Sequence, residues 1–92
     1  MTYQVRVEPR ARRFYLSLDK PLRDRIGAAI DSLADDPRPY ESESLTGILR
    51  VFRKIRVGNY RVCYTVDDKS RLVTVVEVEH RSRVYGDLAR RR

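Results

Sequence analysis

The sequence predicts an α+β domain: an N-terminal strand, a helical hairpin, then three antiparallel strands and a short C-terminal helix or tail. Three observations predict it. Residues 2–8 alternate apolar and polar side chains, the period of a half-buried strand. Residues 9–33 switch to helical spacing, with proline near each helix start. Beyond residue 50, runs rich in valine, isoleucine and tyrosine are separated by short turn sequences. Helices grouped before a strand meander cover one face of a mostly antiparallel sheet and leave the other open, and function is expected on that open face.

Each element has its own signal. "TYQVRVE" sets Tyr3, Val5 and Val7 on one side and Gln4, Arg6 and Glu8 on the other. Pro9 fits a first helical turn, and Ala11, Phe14, Tyr15 and Leu18 follow at helical spacing. Asp19 is placed to cap a second helix with Pro21 in its first turn. There Leu22, Ile26, Ala29, Ile30 and Leu33 form a buried stripe. "DDPRP" ends it, because Asp36 before Pro37 is pushed out of helical geometry. "YESESLTGIL" reads as a polar connection with Leu45 and Leu49 as anchors. The strands then run over about 50–57, 60–66 and 72–80, joined by Gly58-Asn59 and "DDKSR".

Composition bounds the rest. A chain of 92 residues is one domain, 1–92. No apolar run is long enough to span a membrane, and the alternating N-terminus does not read as a signal peptide, so a cytoplasmic protein is expected. One cysteine and one histidine give neither an internal disulfide nor a zinc cluster; no metal or cofactor is expected. Cys63 reads as a small buried hydrophobe. The net charge of +7 lies wholly in residues 47–92, since residues 1–46 balance. Such asymmetry points to a polyanion or an acidic partner.

A two-residue turn at Gly58-Asn59 makes Val57 face Tyr60, Arg56 face Arg61, Ile55 face Val62 and Lys54 face Cys63. Val51, Ile55, Val57, Tyr60, Val62, Tyr64 and Val66 then share the helix side with Arg53, and Phe52, Lys54, Arg56, Arg61, Cys63 and Thr65 share the other. If Val66 pairs with Leu72, Arg61 meets Glu77 and Arg81 follows on the same side, while His80 falls on the apolar side or at the frayed strand end. Tyr85 could return to the charged face from the tail. The opposed arginines destabilise the sheet unless an anion bridges them. The face is either a solvated surface or a phosphate-binding one, since arginine forks match phosphate and a neighbouring aromatic can stack on a base.

Almost the whole chain resembles the RelE/ParE superfamily of toxins, and in particular its RelE-like branch. The resemblance rests on the ordered trio "RVGNYRVCY", "EHR" and "VY" at this spacing. It implies the toxin of a type II toxin–antitoxin system, a metal-free endoribonuclease (mRNA interferase) that cuts messenger RNA in the ribosomal A site and blocks translation. It carries catalytic roles to Lys54, Arg56, Arg61, Arg81 and Tyr85, with His80 a secondary candidate. Arg61 and Arg81 would hold the phosphate, Arg81 also serving as acid. Lys54 would be the base, its proton made easier to lose by Arg56 and Arg61; Arg56 would act electrostatically and Tyr85 would stack on or orient the substrate. The implied partners are a cognate antitoxin, the ribosome with its messenger RNA, and promoter DNA only indirectly through the antitoxin, with no membrane. Two other functions are compatible with the fold: a ParE-like inhibitor of DNA gyrase, and a non-catalytic RNA-binding or regulatory module.

Overall fold

The computed structural model describes residues 2–80. Its elements are β1 (Gln4–Val7), α1 (Pro9–Leu16), α2 (Lys20–Ser32), β2 (Glu43–Ser44), a 3₁₀ turn (Gly47–Leu49), β3 (Arg53–Val57), β4 (Tyr60–Asp67) and β5 (Leu72–His80). They form one five-stranded sheet in the order β1-β5-β4-β3-β2, with β1 parallel to β5 and the other pairs antiparallel. The predicted α+β order holds. The predicted C-terminal helix or tail lies outside the described residues.

The main core sits between the helices and one sheet face. Ala11, Ile26, Ile30 and Leu33 pack there on Ile55, Val57, Val62, Tyr64, Val73, Val75 and Val78. The helical stripe and the strand alternation thus meet as their periods require. Tyr64 is fully buried, and its hydroxyl donates to the Pro37 carbonyl at 2.9 Å, fixing the chain beyond α2. A second tie lies at the surface. Asp68 accepts from the Tyr3 hydroxyl at 2.6 Å and from both Nη atoms of Arg38 at 3.1 and 2.9 Å.

Several details depart from the sequence reading. Asp19 occupies the N-cap position of α2 but its side chain makes no capping bond. α2 stops at Ser32, ahead of "DDPRP", because tight bonds from Leu33 N to the Ile30 carbonyl and from Ala34 N to the Asp31 carbonyl close it early. The connection after α2 contains β2, where Glu43 pairs with Lys54 and Ser44 with Arg53. Val51 belongs to the turn before β3 and is exposed instead of lying under the helices. The second sheet face is not bare either: Leu45, Phe52, Cys63 and Val76 form a small second core, with Leu49 against it.

The largest correction concerns β5. Asp67 pairs with Leu72 and Val66 with Val73, one step from the expected register. Past a bulge, Cys63 faces Glu77, Arg61 faces Glu79, Val62 faces Val78 and Tyr60 faces His80. Tyr64 opposes Val75 and Cys63 opposes Glu77, so Val76 is the extra residue. Parity reverses there: Val73 and Val75 enter the main core before the bulge, Val78 after it. Without that insertion Glu77 and Glu79 would point under the helices.

Candidate nucleic-acid interface

The β3–β4 hairpin builds the centre of the site. Gly58 has φ of +60° and Asn59 is not in the left-handed region, the pattern of a turn that needs glycine at its first central position. The tight turn fixes the register Val57–Tyr60, Arg56–Arg61, Ile55–Val62 and Lys54–Cys63. Lys54, Arg56 and Arg61 consequently project from the sheet face away from the helices.

These three cations line one cleft of about 360 Å³ together with Glu41 and Glu43. Glu43 Oε1 lies 3.4 Å from Lys54 Nζ; the lysine side chain is 18% exposed and the glutamate 67%. Arg56 is exposed and Arg61 half-buried. Beside them the Cys63 thiol is fully buried, and desolvation pushes its pKa up to about 12, with the Glu77 charge adding to the effect. It is an inert part of the second core, as its type suggested.

On β5, Glu79 stands opposite Arg61. Glu77 is buried, and its Oε2 lies 3.7 Å from Nη1 of Arg10, whose side chain is half exposed. His80 is on the other side of the sheet, edge-on to the Tyr60 ring with centroids 5.5 Å apart. The structure thus brings Lys54, Arg56 and Arg61 together and sets His80 apart from them. Arg81 and Tyr85 lie outside the described residues.

Sequence reading missed Glu41, Glu43 and Arg10. A two-residue strand is too short to show alternation, so nothing marked Glu43 as the neighbour of Lys54. Arg10 reads as one of several arginines in "PRARRFYL". Its relation to Glu77 is visible only once α1 is laid against β5.

Chemically the cleft offers guanidinium forks and an ammonium for a phosphate, and carboxylates that can accept a proton. The chain's relatives bear on what it recognises. The family model of the ParE toxin of type II toxin–antitoxin systems, parDE, matches residues 5–85. A protein of Escherichia coli described as RelE-like toxin is 30% identical over 84 residues, covering 90% of this chain and 87% of that one. The archaeal RelE–RelB complex from Pyrococcus horikoshii is similar in structure with a TM-score of 0.78 and 29% identity, over 90% of this chain and 99% of the other. A mutant of the E. coli toxin RelE in the free state gives 0.79 and 25%, over 99% and 98%.

Proposed function

The chain belongs to the ParE toxin family of type II toxin–antitoxin systems, as a RelE-like member, and from that premise we propose that it is a ribosome-dependent endoribonuclease cutting messenger RNA in the A site. One observation carries the reading: Arg56 and Arg61 are paired directly across β3 and β4 beside Lys54, so that two guanidinium forks and an ammonium line one cleft in the geometry that suits a phosphate.

Cleavage by the RNA's own 2′-hydroxyl requires three things: loss of the 2′ proton, neutralisation of the charge developing on phosphorus, and protonation of the departing 5′-oxygen. Arg56 and Arg61 supply the second. Their fixed donors need little rearrangement as charge accumulates, which is why this contribution is commonly the largest. For the proton acceptor, Lys54 held against Glu43 is a donor with no acceptor of its own, whereas the Glu43 carboxylate can accept. The 2′ proton therefore passes to the Lys54–Glu43 pair, with Glu43 its receiver and Lys54 facing the phosphate. Arg81 is proposed as the acid toward the 5′-oxygen and Tyr85 as the stacking or orienting residue, both on the family resemblance. The partners are the ribosome with its messenger RNA and a cognate antitoxin, as in the RelE–RelB complex among the relatives; promoter DNA is reached only through the antitoxin.

The test is primer extension on messenger RNA from translating ribosomes, comparing the wild-type chain with Arg61→Ala. Discrete cuts in A-site codons, absent in the variant, support the reading. The matching family model bears the name ParE, which favours gyrase inhibition as the second reading. Arrested growth with intact messages and blocked DNA supercoiling would decide for it.

A further inference from the structure

Glu77 is an oddity on a face that should attract polyanions: a carboxylate with a side chain only 2% exposed, in the middle of β5. Burying a charge is expensive unless a partner compensates it. One partner is Arg10, reached at 3.7 Å from a different layer of the fold. The route is set by the backbone. β1 pairs with β5 only as far as Val7–Val75, and the Glu8 N–H then donates to the Val75 carbonyl at 2.9 Å. α1 therefore begins beside the bulge, just where β1 stops covering the edge of β5. The bulge turns Glu77 onto the cleft side of the sheet, opposite Cys63. Arg10, in the first turn of α1, extends round the uncovered edge to meet it.

From these relations we infer that Arg10 is a further phosphate-binding residue of the site, held in place by Glu77 as its positioning residue. The inference rests on the endoribonuclease reading and adds a second backbone contact to it. Arg56 on β3, Arg61 on β4 and Glu79 on β5 form one row across the strands, and Lys54, Cys63 and Glu77 form the adjacent row, with Arg10 beyond β5 at the end of the second. Arg56 and β5 are separated by two strand spacings, about 10 Å, and Arg10 lies past that. One guanidinium cluster at the cleft holds the scissile phosphate. Arg10, on the far side of Arg61 from Glu43, takes a neighbouring phosphate of the same strand. Glu77 is not a repulsive charge within the RNA path: buried and engaged by Arg10, it fixes a long, half-exposed side chain that would otherwise lose much freedom on binding.

The experiment measures binding of a single-stranded RNA oligonucleotide, 2′-O-methylated so that it is not cut, across a salt series. Arg10→Gln keeps a donor for Glu77 and removes the charge. It is expected to bind about tenfold more weakly, with the slope of log affinity against log salt shallower by about 0.7, one single-strand phosphate contact. Arg10→Lys should keep the wild-type slope. Glu77→Gln should weaken binding when Arg10 is present and have little further effect in the Arg10→Gln background. Unchanged affinity and slope in Arg10→Gln would overturn the contact; fully additive effects of the two substitutions would overturn the positioning role. Arg61→Ala separates the two levels. If Arg61→Ala abolishes A-site cleavage on translating ribosomes while Arg10→Gln leaves oligonucleotide affinity and slope unchanged, only this inference falls; if wild-type protein makes no A-site cuts, the endoribonuclease reading falls with it.

Discussion

Arg56 and Arg61 stand directly opposite one another across the β3–β4 ladder, on the sheet face away from the helices. Like charges in this position oppose pairing of the very hairpin that carries them. A sheet selected for stability alone would place threonine or an acidic residue at one of the two. Arg56→Thr should therefore make the domain more stable by about 0.5 kcal/mol, since it removes the repulsion and adds a strand-favouring side chain. The same variant should cut messenger RNA much more slowly. Urea unfolding and a cleavage assay on translating ribosomes, run on one preparation, check both. A variant that is less stable and equally active would mean that the arginines are a solvated surface pair.

The Lys54–Glu43 contact separates folding from chemistry. Glu43 is largely exposed, so Glu43→Gln should leave stability within about 0.5 kcal/mol of wild type. As proton acceptor its loss should lower the single-turnover cleavage rate about 100-fold at saturating ribosomes. Lys54→Met should be slower as well, with binding also weakened because the phosphate loses a cation. A Glu43→Gln enzyme that cuts at the wild-type rate would return the acceptor role to Lys54.

Much of this was legible in the sequence. The β3–β4 register follows from Gly58-Asn59 and the alternation on either side, and it groups Lys54, Arg56 and Arg61 on one face. β5 was misread by a short local feature. In "LVTVVEVEH" the adjacent valines 75 and 76 break the alternation, and both are buried, one in each core. A rule of strict period two cannot admit a residue that belongs to neither side of the count. The consequence was to put Glu77 opposite Arg61 when it faces Cys63 and meets Arg10. β2 escaped for a different reason: two residues carry no periodicity, and their pairing with β3 depends on where the chain returns after α2. That return is set by long-range bonds such as Tyr64 to Pro37, which local pattern does not encode.

The Tyr3–Asp68–Arg38 cluster should make stability pH-dependent in acid. Hydrogen bonds from Arg38 first, and then from Tyr3, hold the Asp68 carboxyl below the usual carboxylate range. A group whose pKa is lower folded than unfolded contributes stability above its unfolded value, near 4. That contribution disappears as pH falls through the folded value. Asp68→Asn should thus lower the Tm at pH 7, and the gap to wild type should close progressively below about pH 4. Thermal melts of both proteins across that range test it. A gap that persists undiminished at the lowest pH would show that the carboxylate's charge is not what ties β1 to the β4–β5 turn.

Cys63 reports on the floor of the cleft. Its thiol is fully buried in the second core, and burial together with Glu77 raises its pKa to about 12. Only the thiolate reacts with alkylating agents, and a group so shifted holds almost none of it near neutrality. Native protein at pH 8 should resist iodoacetamide, while protein unfolded in urea should be alkylated at the rate of an ordinary cysteine. Labelling in native conditions then measures opening of the Leu45–Phe52–Cys63–Val76 cluster. If that cluster opens independently of the main core, labelling will proceed well below the urea midpoint. If the two cores unfold together, labelling will follow the global transition. Rapid alkylation of the native protein without denaturant would contradict the buried placement of Cys63 and the closed second core beneath Lys54 and Arg61.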